Sequence, residues 1–591
     1  KSAGIVPLFE CLLERETIHS PPYILTILVN QTTMATRNDE KKLATTPTPS
    51  VYEGQALQQP QTGGLHRRVG GRQIQLFTIG GSIGTALFIS IGTALFKARP
   101  GSLLLSFFTY CCIIALVNNC IAEMTVLMPV SGGFVRLACN WVDEALGFAA
   151  GINFFLYEAI SIPFEITALN SILKFWRDDI PVAAVCAACI VIYAALNLSA
   201  VKYYSESEFW LSSGKVILII ILTCFTFVTM VGGNPQHDAY GFRYWKDPGA
   251  FAEWRSTGNL GRFEGFLAAL FFAPLPIVGP EYISMIAGEA IRPRVNIKKA
   301  FKTTFSRLAY FFLGGAICVG IVVPHNDPTL RAIINGEKES GSGAASPYVI
   351  AMTNLGVGVL PHLVNALILS SVFAAGNTYV YCASRNLYGL ALDGYIPKVM
   401  TRCTKSGVPI DCLGVTPVFP CLSLLQLSNS GATVLDWLVN ILTSGGLVNL
   451  IVMCIVYLRF YKACEAQGID RTTLPYRAWF QPYSAWIALF MFSSIAICSG
   501  YTTFIGEFSA TTFFTRYTMI LFAPVSYCGW KLIKRTRVIP AKEVDLIWER
   551  PEIDAYEANL EEQESSMTNL VRNKLFGGWK KADEKDRESQ G

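Results

Sequence analysis

The sequence predicts an all-α polytopic membrane protein with 12 transmembrane helices. Composition, charge segregation and run length carry that prediction. Of the 591 residues, 52% are hydrophobic and only 15% charged, and the mean hydropathy is +0.38. Soluble domains carry about 25% charged residues, so this chain lacks the polar surface to cover a globule. The charges gather at both ends and in a few loops, leaving long apolar runs. A hydrocarbon core of about 30 Å needs about 20 apolar residues per helix. The net charge of +5 is small and gives no sign of a nucleic-acid partner.

By run length, helices are expected at 76–96, 102–122, 147–172, 182–201, 211–231, 264–288, 307–325, 360–384, 409–427, 433–458, 482–503 and 511–531. The third carries Glu158 and Glu165, and the ninth contains Pro417 and Pro420. Residues 1–75 read as a disordered cytoplasmic tail and 532–591 as a charged cytoplasmic tail, solvated from about 538 onward. The chain starts at Lys1 and its first methionine is Met34, so 1–33 read as upstream translated sequence. The 17 cysteines are scattered through apolar runs without a zinc spacing, and read as packing residues. Basic clusters before the first span ("LHRRVGGRQ"), after the sixth ("RPRVNIKKAFK"), in the loop after the tenth and after the twelfth ("KLIKRTR") place both termini in the cytoplasm. Lys97 and Arg99 run against that rule. Lys574, Lys580 and Lys581 offer the tail to trafficking or ubiquitination machinery.

The first span reads "FTIGGSIGTALFISIGTAL" and holds Gly80, Gly81, Gly84 and Gly92. Each glycine costs a helix interior about 1 kcal/mol relative to alanine. The spacing is not a nucleotide-binding G-x-G-x-x-G, and no strand precedes it. Close helix packing or a helix break both explain it. The sixth span favours the break, because Pro274, Pro276, Gly279 and Pro280 interrupt it. In two five-span halves these two spans correspond, and such a matched pair marks a midplane substrate site. Unwinding at 80–84 is expected to present N–H groups from Gly80, Gly81, Ile83, Gly84 and Thr85, with the Ser82 and Thr85 hydroxyls, to a carboxylate. Freed carbonyls from Ile277 through Gly279 to Pro280 are expected to face an ammonium. A site with both poles suits an amino acid.

Longer stretches then add a resemblance. "TIGGSIGTALF", "AEMTVLMPVSGGF", "IPFEITA", "GPEYISMIAGEA" and "SVFAAGNTYVYCASRNLYGLALDGYIPK" resemble fungal amino acid permeases of the amino acid–polyamine–organocation superfamily. So does "YLRFYKACEAQGIDRTTLPYRAWFQPY", and the likeness runs over roughly residues 65–540. The third and sixth spans are most similar to the dicarboxylic amino acid permease branch. The resemblance implies a LeuT-like 5+5 inverted repeat plus two extra helices, and alternating access. It also implies proton-coupled import of L-amino acids at the plasma membrane, including glutamate and aspartate. Ala86, Ser90 and Ile91 depart from the family's "GTGLFIGSG", and Pro274 and Pro276 are unusual before "GPEY".

Ionisable groups inside a membrane cost about 2.5–3.5 kcal/mol each on insertion scales and mark function by default. Glu281 matches a characteristic glutamate of the resembled family. It either gates or carries protons, or ties the broken helix to a neighbour. Lys215 resembles a lysine that stands where sodium-coupled relatives hold a cation; otherwise it snorkels to the interface. Glu165 resembles the family's third-span glutamate. Glu158, two turns earlier on the same face, lines the pocket or pairs with cations. Asn377 and Tyr379 touch substrate or bridge helices, while Glu123 and Glu289 read as structural. Read alone, several buried glutamates favour a cationic or neutral substrate, whereas the branch resemblance favours an acidic one; protons shared with the site reconcile them. A neutral or proline permease and a non-transporting sensor are the alternatives. No nucleophile–base pair or metal cluster appears, so no enzyme, cofactor or metal is expected. The partners are amino acid, protons and lipid.

Overall fold

The computed structural model describes residues 67, 69–177, 179–199, 201–247, 249–334, 346–429, 431–505 and 508–562. These lie in one compact unit, Gln58–Gly591. The expectations for residues 1–66 and 563–591 fall outside the described residues. Backbone polar groups in hydrocarbon must bond within the segment, and among the described residues there are helices and only two isolated bridges.

Each of the twelve expected runs meets helix among the described residues, and the first and sixth are interrupted within. Eight helices among the described residues are long and apolar enough to cross a membrane by length and composition. One of these, Ala86–Leu127, joins the end of the first expected span to the whole of the second. The chain turns between them at Arg99 (φ 63, ψ 167), just before Pro100. Arg99 is held there by the Phe251 carbonyl at 3.1 Å and by His325 Nε2 at 3.3 Å. The fourth span is the shorter apolar helix Val182–Leu198, and the twelfth is Ala510–Lys534. The ninth keeps helical form despite its prolines by tightening to 3₁₀ geometry over Thr416–Leu427.

Packing follows a five-span period. The third span, Glu144–Leu173, packs chiefly on the eighth, Leu360–Leu392; the fourth packs on the ninth and the second on the seventh. The first-span helix Gly71–Ser82 touches the sixth-span helix Pro280–Ile286. An internal two-fold axis relating spans one to five with six to ten brings such partners together.

The face on which Arg67 and residues 539–557 lie is tied by buried ion pairs. Glu123, fully buried, accepts from Arg471 Nε and Nη2 at 2.8 and 2.7 Å, the Tyr457 hydroxyl at 2.7 Å and the Ala478 N–H at 2.9 Å. Glu289 pairs with Arg385 at 3.3 Å. Both glutamates are structural, as their positions near span ends suggested. The reading of a solvated tail from 538 onward fails over 539–557. Val544, Leu546, Ile553 and Tyr556 are buried, and a helix runs over 550–562. Ile539 donates to the Val142 carbonyl, Trp141 Nε1 to the Asp545 carbonyl, and Arg136 pairs with Glu549 at 3.0 Å. Farther on, Arg294 meets Asp554 at 2.5 Å and Arg67 lies over the Tyr556 ring. The spaced apolar residues, thinly spread among charges, dock this strap where overall charge density pointed to water.

Removing one partner of a buried ion pair costs about 3–5 kcal/mol. Glu123→Ala is therefore expected to cut the yield of monodisperse protein in detergent sharply. Unchanged yield and melting temperature would contradict that structural role.

Candidate substrate site

The first span breaks later and more narrowly than its glycines suggest. The helix Gly71–Ser82 includes Gly80 and Gly81, and the Ile83 N–H still bonds the Ile79 carbonyl. The chain leaves the helix at Ile83 (φ −118, ψ 103), and a π-helical turn over Ala86–Ser90 resumes the span. The expectation of N–H donors from Gly80, Gly81 and Ile83 is thus corrected: these residues present carbonyls. Ser82 also turns inward, donating to the Thr78 carbonyl at 2.7 Å. Gly80 and Gly81 are needed for close approach. A Cβ on Gly80 would lie 2.1 Å from Glu208 Oε1, and one on Gly81 would lie 3.0 Å from the Tyr282 ring. Gly84 sits in the break itself, where a Cβ would fall 2.6 Å from Glu165 Oε1.

Lys215 closes the bare carbonyl end. Its ammonium donates to the Gly80 carbonyl at 2.6 Å and the Ile83 carbonyl at 2.7 Å, and the residue is fully buried. It therefore occupies a cation position rather than snorkelling. Tyr379 donates to the Gly81 carbonyl at 3.3 Å and Ser371 to the Ile83 carbonyl at 3.4 Å. The N–H end of the resumed helix is also occupied. Thr85 Oγ1 donates to Glu165 Oε2 at 2.5 Å, and the Thr85 N–H faces the same carboxylate. Glu165 stands where a substrate carboxylate was expected.

Glu208 is a site residue that the sequence reading missed. It is buried, accepts from Ser212 at 2.9 Å and from Asn377 at 3.4 Å, and lies among the charged neighbours of Lys215. Asn377 in turn accepts from Asn197 at 2.9 Å, so it bridges helices. Glu208 precedes Lys215 by seven residues, two turns along one helix face. That spacing was the available signal, hidden because "YYSESEFW" reads as a loop.

The sixth span ends its first helix at Phe272, and the second begins at Pro280. Proline at the first helical position loses no bond there. Gly279 takes φ 154, ψ −43, which suits glycine alone. Its N–H donates to Glu281 Oε2 at 3.2 Å, so Glu281 caps the second half-helix. Ile277 is buried and its N–H bonds the Ala273 carbonyl at 3.1 Å. The Ile277 and Val278 carbonyls accept no hydrogen bond among the described residues. Glu158 is fully buried, with the Tyr282 hydroxyl as its hydrogen-bond donor and the Glu281 carboxylate as its charged neighbour. Tyr379 packs with its ring 6.4 Å from that of Tyr282 and links the two breaks.

A cavity of about 430 Å³ lies at the ends of the spans away from the strap. Ser90, Thr93 and Lys97 of the first span, Phe271 and Phe272 of the sixth, and Asp436, Asn440 and Ser444 of the tenth line it, with Arg516. Its floor at Ser444 adjoins Gly445, which packs on Tyr157, the neighbour of Glu158. Lys97, out of place by the charge rule, faces Asp436 here.

A matched pair of broken helices, a buried lysine of the fifth span seated on the first break and a chamber lined by both broken spans describe a carrier. The family model described as amino acid permease matches residues 73–540. The chain belongs to the amino acid permease family. The general amino acid permease AGP2 of Saccharomyces cerevisiae is 45% identical over 83% of this chain and 83% of its own. The proline-specific permease of Emericella nidulans is 39% identical over 86% of this chain and 92% of its own. The dicarboxylic amino acid permease of Saccharomyces cerevisiae is 37% identical over 85% and 84%. This permease is a multi-pass membrane transporter of amino acids, not an enzyme.

Lys215→Met takes the charged donor from the buried Gly80 carbonyl and leaves the Ile83 carbonyl with Ser371 alone, at about 1–3 kcal/mol for a buried acceptor left unpaired. The variant is expected to melt lower and to lose uptake. Wild-type melting with full uptake would remove Lys215 from the break. Gly84→Leu, which drives a side chain into Glu165 and Ala375, is expected to abolish substrate binding; normal affinity would speak against a site at this break.

Proposed function

We propose that this permease is a proton-coupled secondary transporter that imports L-amino acids across the plasma membrane by alternating access. The observation that carries the reading is the Lys215 ammonium seated on the Gly80 and Ile83 carbonyls. A fixed cation there holds the first span broken, in the place where other carriers of this design use an ion. Rocking of the broken pair against the remaining spans then exposes the same site to each side in turn.

Coupling follows from the occupancy of the Thr85 end. While Glu165 is ionised it accepts the Thr85 hydroxyl and keeps that end filled. A proton taken up by Glu165 weakens this hold, because a protonated carboxyl is the poorer acceptor. The half-helix N-terminus is then free for the substrate carboxylate. Proton binding and substrate binding thus favour each other, and the proton gradient drives accumulation. The relatives' names cover general, proline and dicarboxylic substrates, so they do not choose among side chains. An acidic side chain suits this site only when protons neutralise the glutamates beside it.

Full-length protein in liposomes with an imposed pH gradient tests the scheme with labelled amino acids. Gradient-driven accumulation is expected in the wild type. Glu165→Gln is expected to lose it while equilibrative exchange continues. Binding without accumulation in the wild type would favour a sensor, and undiminished concentrative uptake by Glu165→Gln would remove Glu165 from coupling.

A further inference from the structure

We propose that the chamber at the ends of the spans away from the strap is a second ligand site, which takes the carboxylate of a small organic acid or amino acid between Lys97 and Arg516. It lies apart from the two breaks, since none of the residues from Gly80 to Thr85 or from Ile277 to Glu281 lines its wall.

The wall is rich in donors that bond to nothing. Ser90, Thr93 and Lys97 follow at intervals of three and four residues, on one face of the resumed first span. A serine or threonine in a helix can return its hydroxyl to a carbonyl of the preceding turn, as Thr78, Ser82 and Thr443 do. The Ser90 and Thr93 hydroxyls make no such bond among the described residues. The Lys97 ammonium likewise has no hydrogen-bond or ion-pair partner there. Arg516, from the twelfth span, donates from Nη1 to the Ser499 carbonyl at 2.9 Å, while its Nε is buried without a partner. Unpaired buried donors are rare in native structures and each calls for a reason.

Charge points the same way. Lys97 and Arg516 are charged neighbours of each other, the exposed Arg255 faces both, and Asp436 is the acid that faces them. Asp436 forms an ion pair with neither, and its carboxylate takes Asn440 Nδ2 at 3.2 Å. Glu264, a charged neighbour of Tyr501, is held by the Ser256 N–H and hydroxyl at 3.0 and 3.1 Å. Three cations thus face one acid where water is scarce, and like charges so placed repel until an anion joins them. A carboxylate between Lys97 and Arg516 answers the charge and gives the free hydroxyls an acceptor. The volume of about 430 Å³ accommodates a molecule of amino-acid size, and Asp436 is left for its ammonium. A ligand bound there ties the resumed first span to the tenth and twelfth, and so acts as a brake on the rocking proposed above.

Thermal stabilisation of the purified full-length protein by succinate, leucine and 1,6-diaminohexane tests the site without requiring transport. The carboxylates are expected to stabilise the wild type and to require about tenfold more ligand in Lys97→Gln and in Arg516→Gln. Lys97→Arg, which keeps the charge, is expected to bind as the wild type does. Gly84→Leu, which fills the first break, is expected to keep this binding. Succinate and leucine both acting on Gly84→Leu assigns organic acids in general; leucine acting alone, and lost in Asp436→Asn, assigns the amino acid. The diamine stabilising best, or an unaltered response in both Lys97→Gln and Arg516→Gln, would overturn the carboxylate site. Where succinate binds, it is expected to lower the maximal rate of leucine exchange in liposomes without raising KM. A raised KM alone would place succinate at the breaks and overturn the second site. Carboxylate binding that depends on Lys97 and Arg516 in a protein that accumulates nothing defeats the transport scheme alone.

Discussion

The loose peptide groups of two interrupted helices are the constraint on which the rest of this structure depends. In lipid such groups cannot turn to water, so the surrounding spans must supply partners. Lys215, Tyr379 and Ser371 cover the carbonyls of the first break. Glu165 and Glu281 cover the N–H ends of the two resumed helices. These partners come from the third, fifth, sixth and eighth spans. The breaks therefore fix how those spans pack, and the packing in turn gathers buried ionisable groups around the two breaks.

Much of this was legible from residue order. Run length located the eight helices long and apolar enough to cross a membrane, and the interrupted pair stood out because glycine and proline act on any helix alike. The exact edges of the first break were not legible, since the reason for each glycine lies on other helices. Gly80 makes room for Glu208 and Gly81 for Tyr282, and neither partner is near in sequence. Glu208 escaped notice because its helix starts in polar residues that resemble a loop. The docked tail was overlooked for the opposite reason: four apolar residues among many charges suffice once a prepared surface awaits them.

Sequence likeness fixes the family without choosing a substrate. Likeness is summed over hundreds of residues, most of which build the scaffold shared by permeases named for very different amino acids.

The segment 539–557 works like a belt passed through several loops. Val142, Arg136, Arg294 and Arg67, which fasten it, belong to separate helices or their connections. Any rigid-body movement that parts those helices must first slip the belt from at least one loop. In the proposed alternating-access scheme, how readily that side gapes is thus governed in part by a segment far from the chamber.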